Sequence, residues 1–412
     1  MKVLFLTLFN IDNISERNLY TDLMRKFRDE GHDVYIVTPT ERRLKQKTTI
    51  KRQDGFTLLK IKILNIQKTS LFEKGISTLL IEHQFLAGIK KYISGVRFDL
   101  VLYSTPPITF TKVIRYIKHR DKAISYLLLK DIFPQNAVDL EMIKERGIIH
   151  RYFRHKEKQL YHISDFIGCM SPANVEYVIH HNPEINPKII EVNPNSIEPD
   201  LTSISNEDIV LIRKRYNIPP DAITFIYGGN LGKPQGIDFL LDVLNSNKEK
   251  QDIFFVIVGG GTEFLKVQSW FTSNNPGNAI LLSGLPKREY DQLIQSCDVG
   301  LIFLDRRFTI PNFPSRLLSY LEYKMPVIAA TDPNTDLGNI MEENKFGLWA
   351  ESGDLDLFNQ YIEKLSKDEI TLNQMGVNGY NFLLDNYDVS NSYSIINTHL
   401  IINTHLLCGC HN

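Results

Sequence analysis

Short apolar runs alternate with stretches of helical apolar spacing along this chain, and the alternation begins at the first residue. Residues 1–9, MKVLFLTLF, form a nearly continuous apolar run that predicts a buried strand, and a polar loop follows over 10–15. Over 16–30, Leu19, Leu23 and Phe27 recur on one helical face. Gly31-His32 ends that helix, and 33–38 reads as a second strand. Strand, loop, helix and strand in this order argue a parallel, doubly wound sheet. Residues 98–103, 123–129 and the shorter 165–169, closed by Ser171-Pro172, read as later strands of the same sheet. Cys169 in the last of them reads as a small buried apolar residue with no base beside it.

The pattern pauses and restarts. The chain leaves the first sheet near Asn193-Pro194-Asn195, and the polar stretch 195–208 reads as a linker. Residues 224–227 are then a strand, followed by a Gly-rich turn and a helix over 237–244. Further strands are expected at 253–258, 279–282 and 299–304. The stretch 308–330, FTIPNFPSRLLSYLEYKMPVIAA, organises this half. It reads as a loop, a helix over 316–324 with Leu317, Leu318 and Leu321 inward, and a strand over 327–330, with Ser315 as a possible N-cap. The expected layout is a domain over 1–197, a second over 198–390, and an irregular tail over 391–412. That tail holds a tandem IINTHL (395–400 and 401–406), and Cys408, Cys410 and His411 near His399 or His405 have no standard zinc spacing.

Composition narrows the class. A chain of 412 residues, 43% hydrophobic and 23% charged, suits two soluble domains. The net charge of −1 hides an asymmetry: residues 1–200 carry 31 Lys/Arg against 23 Asp/Glu, and the remainder carries 16 against 25. The basic half suggests an anionic partner, or attraction between the halves. Four cysteines in so long a chain make no disulfide framework. The apolar start is too short for a signal peptide, and no run approaches the ~20 apolar residues that span a bilayer. A cytoplasmic protein, at most peripheral at the inner face of the cell membrane, is expected. A helix over 70–93, with Leu71, Phe72, Ile76, Leu79, Leu80, Phe85, Leu86 and Ile89, reads as core-facing or as an interfacial helix docking on lipid. No recognition helix or aromatic-basic platform supports nucleic-acid binding.

Three strand ends in the second half suit anions. Gly228 to Gly236 (GGNLGKPQG) lets backbone approach a ligand just before a helix start, with Lys233 as a cation. Gly259-Gly260-Gly261 follows the next strand, and Ser315-Arg316 opens a later helix. Three such ends in one domain suggest a diphosphate.

The order of IYGGNLGKPQGIDFLLDVL, FVIVGGGTEF, ILLSGLPKREYDQLIQSCDVGLI, PSRLLSYLEYKMPVIAA and NKFGLWAESGD resembles the group 1 family of retaining, nucleotide-sugar glycosyltransferases. It is similar to bacterial capsule and O-antigen members of the N-acetyl-fucosamine transferase type. EGHDVYIVT, KDIFPQNAVDL, SDFIGCMSPANVEYV and NPNSIEP fall in the matching order in the first half. The resemblance implies the α/β GT-B fold, with two doubly wound Rossmann-like domains facing each other across a cleft. It implies that Gly229, Asn230 and Lys233 line a donor diphosphate, that Gly260 and Gly261 lie under the nucleotide, and that backbone at Gly284-Leu285 meets the base. Ser315 and Arg316 would hold the diphosphate, and Asp131 would face the acceptor, its plainer reading being a cap.

Two departures stand out. Pro311 and Ser319 occupy the positions of the family's glutamate pair, with Glu322 offset by nearly a turn, and Asn230 and Gln235 replace its phosphate-loop Arg and Lys. Asp336 is a stand-in for a donor-sugar contact. The resemblance implies transfer of an N-acetylhexosamine or deoxy derivative from a UDP-sugar to a polyprenyl-diphosphate-linked saccharide, with no metal and no cofactor. Arg316 and Lys233 would stabilise the leaving nucleotide and Asp131 would orient the acceptor or assist as a base. A UDP-sugar 2-epimerase of the same fold and a non-catalytic nucleotide-sugar-binding partner remain alternatives.

Overall fold

The computed structural model describes residues 1–412 apart from 67, 68, 70, 201 and 410–412, and side chains apart also from 71, 72, 74 and 402–409. Two compact units result: one from Met1–Glu198 together with the segment that begins at Asp388, the other from Pro199–Tyr387.

The first unit holds β1 (Lys2–Leu6), β2 (Asp33–Glu41), β3 (Thr49–Gln53), β4 (Phe56–Ile63), β5 (Leu100–Ser104), β6 (Ile124–Leu129), β7 (Phe166–Cys169) and β8 (Ile190–Val192). They form one sheet in the order β3-β4-β2-β1-β5-β6-β7-β8, parallel throughout except for the β3–β4 hairpin. The helix Leu19–Asp29 starts at Asn18, whose side chain accepts from the backbone N–H groups of Tyr20 and Thr21. Its Leu23, Met24 and Phe27 are buried with Val3, Phe5 and Val34, as the helical spacing requires.

The second unit holds β9 (Ile223–Asn230), β10 (Ile253–Gly260), β11 (Ala279–Leu282), β12 (Val299–Phe303), β13 (Val327–Thr331) and β14 (Gly347–Glu351). The order is β11-β10-β9-β12-β13-β14, and every pair is parallel. Counted within the unit this is 3-2-1-4-5-6, the doubly wound order whose ligand crevice opens where the order reverses. That point lies at the carboxyl ends of β9 and β12. In the first unit the same reversal falls between β1 and β5.

Two expectations need correction. The expected irregular tail over 391–412 is helical as far as it is described: Val389–Gly409 is a helix, and Val389, Tyr393, Ile396 and Leu400 are buried in the first unit's core. Positions 389, 393, 396 and 400 share one helical face, but the repeated hexapeptide drew attention away from this spacing. Of the residues set aside for lack of zinc spacing, Cys410 and His411 lie outside the described residues, as do the side chains of His405 and Cys408. Second, the end of the 195–208 linker is already the helix Asn206–Arg215, capped by Ser205.

The helix expected over 70–93 spans Leu71–Tyr92. Its apolar face divides: Phe85 and Ile89 are buried and Leu86 half-buried, whereas Ile76, Leu79 and Leu80 are exposed. Leu71 and Phe72 fall among the side chains outside the described set.

Candidate functional site

Three strand ends converge in the second unit. The β9–β10 register pairs Gly229 with Gly259 and Asn230 with Gly260. Gly229 and Gly259 have φ of +131° and +156°, and a Cβ on Gly259 would lie 1.8 Å from the Gly229 carbonyl oxygen. Only glycine permits that approach. A Cβ on Gly261 would meet the Leu231 carbonyl oxygen at 2.3 Å, so β10 turns away directly beneath the β9 loop. Gly236, at φ +53°, starts the helix Ile237–Asn247 against the end of β12, its missing Cβ 2.8 Å from the Leu304 carbonyl oxygen. The helix therefore points its free N–H groups at the switch point.

Arg316 projects into this junction from the helix Arg316–Glu322. Its guanidinium carbon lies 4.2 Å from the centre of the Tyr227 ring. Nη2 donates to Oε1 of Gln235, and it lies 3.4 Å from where a Cβ on Gly229 would be. Nη1 is buried without a hydrogen-bond partner among the described residues. The Tyr227 hydroxyl donates to the Asn230 carbonyl at 2.7 Å, which ties the ring to the loop it supports. A cation whose one edge is fixed and whose other edge is unsatisfied is built to receive an anion.

The helix carrying Arg316 is held from below by Tyr320. Its buried hydroxyl bonds the carbonyls of Ile226 (3.2 Å) and Leu301 (3.1 Å) and accepts from the Gly228 N–H (3.3 Å). It thus bridges β9 and β12 at the switch point. Leu317, Leu318 and Leu321 are buried, as their spacing requires. Ser315 is exposed and makes no side-chain cap, because its own backbone is already helical. Its reading as an N-cap is thereby corrected.

The other residues named from the sequence surround this centre to different degrees. Lys233 is exposed and opens the short turn Lys233–Gln235, the same turn that supplies Gln235 to Arg316. Ser319 is one helical turn beyond Arg316 and half-buried. Gly284 and Leu285 follow β11 at the sheet edge, with open space over Gly284. Asp336 precedes the helix Leu337–Glu343, close to the loop of Pro311: Asn334 donates to the Phe308 carbonyl at 2.6 Å and Thr335 to the Asn312 carbonyl at 2.7 Å.

Four residues that sequence reasoning passed over hold this arrangement: Tyr227, Gln235, Tyr320 and Asp332. Gln235 was legible only as a missing lysine. Asp332, fully buried at the end of β13, accepts from the N–H groups of Asn334 (2.9 Å) and Thr335 (3.2 Å) with Oδ1, while Oδ2 has no partner among the described residues. Burial pushes its carboxyl up to about 6.

Asp131 lies in the first unit, just past β6. Both its oxygens accept from the Asn136 amide, at 2.8 and 2.9 Å, and it caps no helix: Pro134 holds that position for the helix Gln135–Asp139. The Thr105 hydroxyl accepts from the N–H groups of Lys130 and Asp131, fixing the loop to the end of β5. Burial raises the Asp131 carboxyl to about 6 and lowers the neighbouring Lys130 ammonium to about 7. A carboxyl poised there can exchange a proton near neutral pH.

Comparison with known proteins finds the same fold among enzymes. Residues 208–382 match the family model described as glycosyl transferases group 1. A probable glycosyltransferase from Pseudomonas aeruginosa, WbjE, is 21% identical over 322 residues, 78% of each chain. Among solved structures, the sucrose-phosphate synthase from Thermosynechococcus elongatus aligns over 99% of this chain and 100% of its own, with a TM-score of 0.75 and 13% identity. Anabaena HepE, in complex with UDP and glucose, covers 97% of this chain and 99% of its own at a TM-score of 0.71 and 15% identity. The fold is that of the GT-B enzymes, with two Rossmann-like units.

Proposed function

We propose that this chain, whose residues 208–382 match the model of the group 1 glycosyltransferases, transfers a sugar, an N-acetylhexosamine or deoxy derivative, from a UDP-sugar to a lipid-linked saccharide with retention of anomeric configuration. The reaction serves surface-polysaccharide assembly, at the inner face of the cell membrane. The observation that carries the donor half of this reading is the Arg316 guanidinium, seated on Tyr227 with Nη1 unsatisfied beside the Gly229 backbone. A nucleoside diphosphate there gains that N–H, the helix start at Gly236 and the ammonium of Lys233. These groups are in place before the sugar leaves, so they stabilise the charge that develops on the diphosphate without reorganising. The screening that a metal would otherwise supply falls to Arg316 and Lys233. The departing phosphate takes the acceptor proton, and Asp131, with its raised pKa, orients the hydroxyl or shares that proton. HepE's complex with UDP supports the choice of nucleotide.

Calorimetry with UDP, GDP and ADP tests the reading, using wild type and Arg316→Ala. UDP is expected to bind best, and Arg316→Ala to weaken it by roughly tenfold or more, about 1.4 kcal/mol. If no nucleotide binds, the donor site is lost and the transferase reading fails with it.

A further inference from the structure

The helix Ile148–Ile163 of the first unit begins on a surface that the reaction above does not use. Ile148 is 89% exposed, Ile149 57% and Tyr152 37%, and Met142 on the preceding loop is 60% exposed. Residues 148, 149 and 152 lie on adjoining positions of one helical face. The helix is anchored from its other side, where Phe153 packs edge-on against Phe133 with ring centres 4.9 Å apart and Leu160 and Tyr161 are buried. The apolar groups therefore face solvent in a well-seated helix, not a frayed one.

The charge around them is mostly positive, with the exposed Glu141 and Glu145 as the acids at its edge. Between residues 142 and 156 there are five Lys/Arg and a single acid, Glu145. Arg154 turns inward, to Glu157, the His181 carbonyl and Asn182. Lys144, Arg146 and Arg151 are exposed, and Lys156 lies 5.9 Å from the centre of the Tyr152 ring.

A contiguous exposed apolar surface marks a contact site. A basic ring with apolar side chains at its centre matches an anionic bilayer, with phosphates at the rim and acyl chains under the middle. We propose that the surface of Met142, Ile148, Ile149 and Tyr152 seats on an anionic phospholipid membrane, with Lys144, Arg146, Arg151 and Lys156 on headgroup phosphates. This deepens the reading of a lipid-linked acceptor and rests on it only for its purpose, because the contact needs no donor and no turnover. It also moves the membrane contact from the helix Leu71–Tyr92 alone to the start of Ile148–Ile163.

The test is co-sedimentation of the full chain with vesicles of phosphatidylcholine alone or with phosphatidylglycerol added. Binding is expected only with phosphatidylglycerol and should fall as salt rises. Ile148→Ser with Ile149→Ser should weaken it at least about tenfold. Arg146→Ser should weaken it about fivefold, and Arg151→Ser by a similar factor. Ile148→Trp places an indole at the centre of the surface, and bromine-labelled acyl chains should quench it; Trp270 and Trp349, in the other unit, give the background. UDP calorimetry on each variant serves as the folding control. UDP binding without vesicle binding overturns this proposal and leaves the transferase reading standing; vesicle binding without UDP binding does the reverse. A dimer in solution that the double serine variant splits, with no vesicle binding, would assign the surface to a second copy and also overturn the proposal.

Discussion

Gln235→Lys restores the family's usual residue in the phosphate loop, and the structure argues that here it does harm. Gln235 Oε1 accepts from Arg316 Nη2, so a lysine at 235 would bring an ammonium to the edge of a guanidinium already fixed on Tyr227. Two like charges about 4 Å apart repel by about 1 kcal/mol in water and about 4 kcal/mol at an effective dielectric constant near 20. Arg316 is half-buried, so the loss of stability at low salt should fall between those limits. For a unit of this size each kcal/mol lowers the melting temperature by about 2–4 °C. Gln235→Met, which removes the acceptor without adding charge, separates repulsion from the lost hydrogen bond. The assay is thermal unfolding of wild type and both variants, at low and high salt, with and without UDP. The lysine variant should melt lowest without ligand and recover with salt. It should also gain more from UDP than wild type, because a diphosphate neutralises both cations. An unchanged melting temperature at low salt would refute the placement of Gln235 against Arg316.

Three further outcomes follow from the same structure. Asp332→Asn keeps the acceptor for Asn334 and Thr335 and removes a buried charge; because the native carboxyl is raised from 3.8 to about 6, its stabilising contribution is complete below pH 3.8 and is lost as pH rises through 6. The variant should therefore gain up to about 3 kcal/mol over wild type at pH 8 and nothing at pH 4 in urea unfolding, and a gain independent of pH would contradict the assignment. Gly300→Ala would set a Cβ 2.5 Å from the Tyr320 ring and should cost about 1–3 kcal/mol, much of it recovered when Tyr320 is also shortened to Leu. Truncation after Tyr387 removes Val389, Tyr393, Ile396 and Leu400 from the first unit's core, each worth about 1.5–3 kcal/mol. The shortened chain should expose apolar surface to a dye such as ANS, and unchanged melting would show that the helix is dispensable.

The sheets were legible because parallel strands buried on both faces read as apolar runs, as β1, β6, β10 and β12 do. The hairpin of β3 and β4 was passed over: TIKRQ is exposed along its whole length, although the buried apolar run FTLLKIKI was there to be read. Gly229, Gly260, Gly261 and Arg316 were named from the family resemblance; the paired ends of β9 and β10 set Gly229 beside Gly259, and Arg316 lies beside Gly229. What holds Arg316 was hidden. Tyr227 is just a strand tyrosine in sequence, and Gln235 declares its partner only once the loop folds back through Lys233. Asp332 was missed for a similar reason, since a carboxylate after a strand looks like an ordinary turn until its burial is known. The C-terminal helix was obscured by repetition, yet the apolar spacing from Val389 to Leu400 was there to be counted.

Because the chain builds its first unit from two segments separated by the whole of the second, the order of synthesis matters. A ribosome that has released residue 198 has made all eight strands of the first sheet but none of the helix Val389–Gly409, which completes its core. Roughly 190 residues must still be added, about 10–40 s at ordinary elongation rates. During that interval the core cluster of Phe27, Val34 and Phe56 lacks the packing of Val389, Tyr393, Ile396 and Leu400. The second unit, continuous from Pro199 to Tyr387, is complete before the first. The nascent protein is therefore most exposed to chaperones and to aggregation at its N-terminal sheet, and folding finishes only when Leu400 has left the exit tunnel.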